Sequence, residues 1–161
     1  MRPLVSAGRQ CANLNLDRGV FMKVLRILST AVLLLFASSA GWAAEDTPEQ
    51  IPGTTRVTAE DVVALVGKFD DLVIIDARTK KDNSAGFIEG AISLPDTETT
   101  PASLAAHIPT KTTPVLFYCN GVKCGRSVTS CQMALAEGYS NVYWFRGGWG
   151  EWTAKGMPVA H

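Results

Sequence analysis

Four short apolar runs, rich in β-branched and aromatic residues, recur between residues 72 and 145: Leu72–Asp76, Ala91–Leu94, Val115–Tyr118 and Asn141–Phe145. Runs of this length without strict alternation predict strands buried on both faces. Stretches with helical spacing lie around them. Thr58 and Asp61 have the spacing of a capping box ahead of Val62, Val63, Leu65 and Val66, which predicts a helix that Gly67 stops. Further helices are predicted over Pro101–His107 and over 126–137, the latter closed by Gly138 as a C-cap. Strands alternating with helices predict an α/β fold: a mostly parallel central sheet with helices on both faces and its ligand site at the carboxyl ends of the strands.

A different pattern occupies the N-terminal part. Residues 27–44 carry no charge, centre on an Ala31–Ala37 block of Val, Leu and Phe, and follow Met22, Lys23 and Arg26. That is the order of a signal peptide, with small residues at Gly41 and Ala43 placing cleavage near Ala43 or Ala44. The apolar block falls short of the ~20 residues of a spanning helix, so a transient membrane contact is expected, with a periplasmic or secreted product. Residues 1–21 lack apolar periodicity and read as an upstream extension or a mis-assigned start, with Met22 as the expected first residue. Residues 45–54, polar and proline-containing, read as a linker, and 55–160 as the folded domain.

Charge sharpens this division. The 161 residues hold 15 bases and 15 acids, but 1–44 carries +4 and 45–161 carries −4. An acidic body without a basic stripe excludes nucleic acid as an expected partner. With 47% hydrophobic residues and only 19% charged, the chain is predicted to build one packed core.

The chemistry gathers where the strand ending at Tyr118 runs into Cys119-Asn-Gly-Val-Lys-Cys-Gly-Arg126 and a helix begins. A thiol at the mouth of a helix meets the positive end of the dipole. Lys123, Arg126 and the loop amides also favour thiolate over thiol. Gly121 and Gly125 allow successive amides to turn inward as a nest for an anion.

Taken in order, the strand Leu72–Arg78, the segment Gly86–Pro95, the loop Cys119–Ser127 and the segment Asn141–Gly148 with Trp152 beyond make the chain resemble the rhodanese or thiosulfate sulfurtransferase superfamily, in its single-domain form. The resemblance covers about residues 55–160. It implies that Cys119 is the catalytic nucleophile that accepts sulfane sulfur as a persulfide, and that Asn120, Gly121, Val122, Lys123, Cys124, Gly125 and Arg126 form the substrate cradle. It implies a small sulfur-containing anion such as thiosulfate as donor, a thiol, a protein or cyanide as acceptor, and no metal or organic cofactor.

Two departures bear on substrate. The family's Gly-His-Ile-x-Gly-Ala is Gly86-Phe87-Ile88-Glu89-Gly90-Ala91 here, so the polar side chain is missing. The family's Arg stands five positions after the Cys, whereas Arg126 stands seven after Cys119 and Cys124 occupies the fifth position. A longer ring of amides fits a tetrahedral oxyanion, so a cysteine-dependent phosphatase or arsenate reductase stays open, as does a non-catalytic thiol-redox or sulfur-carrier module. Cys124 is either a resolving thiol, bridging to Cys119 in an oxidising compartment, or a filler of the loop.

Other conspicuous residues have blander readings. Asp76 and Arg78 are expected to brace neighbouring loops. Cys131 shares a helical face with Val128 and Leu135 and is expected to be a buried packing thiol. His107 and His161 lie outside every motif. Trp149 and Trp152, one turn apart, are expected to pack a short helix that ends at Gly156. No Cys or His cluster has zinc-ligand spacing.

Overall fold

Strand β2 (Val73–Asp76) and strand β4 (Val115–Tyr118) lie side by side at the centre of a five-stranded parallel sheet of order β1-β5-β4-β2-β3, with β1 at Thr54–Arg56, β3 at Ile92–Ser93 and β5 at Val142–Phe145. The computed structural model describes residues 47–161; the upstream extension, the signal sequence and its cleavage site lie outside them. Four of the strands match the apolar runs, trimmed by up to two residues where the flanks leave the ladder.

The double burial that the runs predicted follows from the period-2 geometry of strands. Val115 and Phe117 of β4 join Ile75, Val142 and Trp144 on one face, under helices α3 (Pro101–His107) and α4 (Arg126–Ala136). Leu116 and Tyr118 join Ile74 and Phe145 on the other, under α1 (Ala59–Lys68) and α5 (Gly148–Ala154). All four β4 side chains are fully buried. Apolar residues in such positions contribute about 1.5–3 kcal/mol each.

The helix starts obey their caps. Thr58 accepts from the Asp61 amide while Asp61 returns a bond to the Thr58 amide, and Thr100 with Ser103 does the same for α3, which also has Pro101 at its first position. Within α1, however, Val62 and Leu65 face the sheet whereas Val63 and Val66 are about half exposed, so the apolar face is narrower than its sequence implied. Gly67 sits inside the last turn, and Phe69 caps the helix instead.

The segment read as a linker is held to the domain from Thr47 onward. Ile51 is buried in the core, Thr54 opens β1 against β5, and the Arg146 guanidinium donates to the carbonyls of Thr47 and Pro48 at 2.8 and 3.0 Å. Polar, proline-containing sequence hid this, because one anchoring side chain and backbone bonds suffice to hold it. The short helix α2 (Lys80–Asn83) and a 3-10 turn at Asp96–Glu98 were likewise not foreseen.

The connections leaving β2 and β4 run in opposite directions, so the sheet reverses its winding between these two strands. Ligands of open parallel sheets bind outside the carboxyl ends at such a reversal. Cys119 is the first residue past that end of β4.

Candidate active site

Cys119 leaves β4 almost fully buried, at 1% exposure, and residues 120–125 curl over it before α4 begins at Arg126. Gly125 occupies the N-cap, and no side chain caps α4 there, so the first-turn amides of an 11-residue helix are left to face the loop. Within the loop the Cys124 amide donates to the Gly121 carbonyl at 2.9 Å, closing a tight turn. The Sγ atoms of Cys119 and Cys124 are joined in a disulfide, their Cα atoms 6.2 Å apart, within the 4.4–6.8 Å that disulfides span. The loop thus brings both thiols to one point.

Asn120, Gly121, Val122, Lys123 and Cys124 line an open concavity of about 430 Å³. The other two expected cradle residues differ. Gly125 caps the helix, and Arg126 turns its guanidinium to Asp96, 3.1 Å away, rather than into the concavity. Arg126 is the first residue of α4 and lies within reach of the 3-10 turn. Lys123 stands exposed at the rim and is the cation nearest in sequence to Cys124.

The loop rests on the start of α5, which the sequence reading had assigned to packing alone. The Trp149 amide donates to the Cys119 carbonyl at 2.8 Å and the Gly150 amide to the Asn120 carbonyl at 2.9 Å. These contacts need glycine: Gly148 has φ +53°, and a Cβ there would overlap the Cys119 carbonyl oxygen and lie 2.9 Å from its carbon. The clue was available in the density of Gly147-Gly148-Trp149-Gly150. Gly148→Ala should therefore displace the Cys119 backbone and cost on the order of 2 kcal/mol from strain and overpacking. Chemical denaturation, together with sulfur uptake by the variant, checks this; stability within 0.5 kcal/mol of the parent with full uptake would show that the close approach is not required. From above, the Thr47 amide and hydroxyl both donate to the Val122 carbonyl, at 2.9 and 2.8 Å. The N-terminal segment is thus a strap across the loop.

Behind Cys119, a buried ion pair sits at the end of β2, and the Tyr118 hydroxyl ties the end of β4 to it. Arg78 engages both Asp76 oxygens at 2.6–3.0 Å and donates to the Gly86 carbonyl at 2.7 Å. Asn83 and the Tyr118 hydroxyl also donate to Asp76, at 3.0 and 2.8 Å. Burial opposes the Arg78 charge, but hydrogen bonding and the charge of Asp76 outweigh it and raise the guanidinium above its ordinary value. Burial, then the Asp76 charge, pushes the Tyr118 phenol up, so it stays a neutral donor. The Arg78 guanidinium lies over the Trp149 ring, 4.5 Å from its centroid. The pair braces the loops, as expected.

Cys131 is fully buried among core residues of α4, and burial pushes its thiol up, away from thiolate chemistry. Trp152 packs edge-on to Phe145 and donates to the Pro158 carbonyl at 2.7 Å. Phe87, at the family's histidine position, pairs its backbone with Ala160.

The family model of the rhodanese-like domain matches residues 58–155, from the cap of α1 to the end of α5. The chain belongs to the rhodanese-like family. It is 31% identical over 97 residues to a rhodanese domain-containing protein of Drosophila melanogaster, covering 53% of this chain and 85% of the relative. It is 28% identical over 104 residues to a sulfurtransferase of Allochromatium vinosum, covering 65% of this chain and 92% of the relative. Among solved structures, the thiosulfate sulfurtransferase of Pseudomonas aeruginosa superposes with a TM-score of 0.57 at 28% identity. The match covers 67% of this chain but only 20% of that longer protein. The rhodanese-like domain described here therefore has sulfurtransferase homologues, which supports a function of the sulfurtransferase type.

Proposed function

We propose that this rhodanese-like domain moves sulfane sulfur from thiosulfate or a similar anionic donor to a thiol or cyanide through a persulfide on Cys119. The observation that carries the reading is the placement of Cys119 between a fully buried strand and the uncapped start of α4. With the loop cysteines reduced, the Cys119 thiolate attacks the outer sulfur of thiosulfate, and the S–S bond of the donor breaks. Sulfite leaves with the bonding electron pair. The loop amides and Lys123 hold the anion and stabilise the charge that passes onto the persulfide. Arg126 is paired with Asp96 and gives the donor no bidentate grip.

Phosphate or arsenate chemistry is favoured by one observation, the seven-residue step from Cys119 to Arg126. Two others weigh against it. Arg126 is engaged with Asp96. A carboxylate beside the loop, Asp82 at 3.5 Å from the Asn120 amide group, is held below its ordinary range, first by the Thr79 hydroxyl, so it is a poor proton donor. The reduced protein treated with thiosulfate should release one equivalent of sulfite and should not turn over an aryl phosphate. Aryl phosphate turnover without sulfite release would overturn the reading.

A further inference from the structure

Cys124 stands where the sulfurtransferase reading has no use for it, and its place in the fold defines what it does. Three cysteines lie among the described residues. Cys131 is sealed in the core. The other two share one sulfur–sulfur bond, and Cys124 lines the loop concavity. The atom to which Cys124 is bonded, Cys119 Sγ, is the atom that becomes the inner sulfur of a persulfide. A thiolate at Cys124 needs no new path to reach that inner sulfur, because the loop turn closed by the Cys124 amide on Gly121 already directs it there. Cys124 also lies one residue before Gly125, the N-cap of α4.

We propose that Cys124 is a resolving catalytic thiol, a role that rests on the Cys119 persulfide argued above. The Cys124 thiolate attacks Cys119 Sγ of the persulfide; the Cys119–Cys124 bond forms, the bond to the outer sulfur breaks, and hydrosulfide leaves with its electron pair and the persulfide proton. The sulfane sulfur is reduced and the two cysteines are oxidised by the same two electrons. The bridged loop is the product of this step.

The same geometry names the class of acceptor. Cys119 is at 1% exposure whereas Cys124 is only partly buried on the wall of the concavity, so an incoming thiolate meets Cys124 Sγ first. Its attack makes a mixed disulfide at Cys124 and releases Cys119 as thiolate, ready for the next donor. The second thiol of a dithiol reductant then displaces Cys124, leaving the reductant oxidised and both loop thiols free. Over one cycle thiosulfate and a dithiol become sulfite, hydrogen sulfide and a disulfide. On this branch from the Cys119 persulfide the reductant is a protein or small molecule with two vicinal thiols, and the sulfur leaves as sulfide; cyanide or a thiol that reaches the persulfide first takes the sulfur itself.

The test uses the full domain, reduced, freed of reductant under inert gas, and given one equivalent of thiosulfate. The parent protein should release sulfite and then sulfide in near-equal amounts, lose both loop thiols, and show the Cys119–Cys124 bridge by peptide mapping. In Cys124→Ser and Cys124→Ala the sulfide released per sulfite should fall about tenfold or more, the sulfur being held as a stable persulfide, because an intramolecular thiol has been removed. A small monothiol added to the bridged parent should be found attached to Cys124. If the parent releases sulfite yet keeps its persulfide, or if the variants release sulfide as fast as the parent, the resolving role is overturned while sulfur uptake stands. If neither parent nor variants release sulfite, the persulfide reading fails and the resolving role fails with it. A monothiol found on Cys119 would overturn the dithiol path.

Discussion

Replacing Cys119 by serine should abolish release of sulfite from thiosulfate, by at least about 10³-fold, with the fold intact. The size follows from chemistry at one atom. A serine hydroxyl at this site is un-ionised at neutral pH, and an alkoxide is a poor match for divalent sulfur. The loop amides would remain, but they stabilise an anion and cannot replace the bond-forming sulfur. Cys131→Ser is the companion measurement. Its hydroxyl replaces a thiol fully enclosed by the α3, α4 and sheet residues, so it should cost about 1–3 kcal/mol of stability and leave sulfur uptake in the folded fraction. Loss of uptake in both variants, with both folded by circular dichroism, would mean that Cys119 is not the special thiol.

The largest stability effect is expected at the brace behind the loop. Asp76→Ala leaves the Arg78 guanidinium, 1% exposed, with its charge uncompensated, and removes the acceptor of the Tyr118 hydroxyl and of Asn83. Breaking a buried pair on one side costs about 3–5 kcal/mol. For a domain of this size that lowers the melting temperature by roughly 10 °C or more. The double change Asp76→Leu with Arg78→Met should recover much of the loss, because no buried charge is then left alone. A loss under 1 kcal/mol in the single variant, measured by denaturant unfolding, would show that water reaches Arg78 and screens it. Activity should fall as well, since Tyr118 is the residue that presents Cys119.

How much of this was legible depended on whether a residue's role was local. β4 was predicted to the residue because four consecutive apolar side chains admit no solvent-facing register. Helix α3 matches its expected span Pro101–His107, and the structure adds the Thr100–Ser103 capping box at its start. β1 is the opposite case: Thr54-Thr55-Arg56 has no strand signature of its own and exists because β5 offers a parallel edge. In the site, the loop that joins β4 to α4 was legible because thiol, glycines, bases and helix start fall within eight residues. The partner of Arg126 lies 30 residues away at Asp96. The floor under the loop lies about 30 residues beyond it in α5, and the strap more than 70 residues before it at Thr47. Pairings of that kind are set by the winding of the sheet and leave no mark in local sequence.

The family match begins at Thr58, two residues after β1 ends. A fragment trimmed to that boundary would lose the strand that covers the outer side of β5. Its Val142–Phe145 backbone, which carries Trp144 and Phe145, would then be an open edge with unpaired amides and carbonyls. Such an edge is a template for a strand from another molecule. The three residues Thr54–Arg56 thus act as a guard against self-association, and the working boundary of the domain lies upstream of the segment by which the family is recognised.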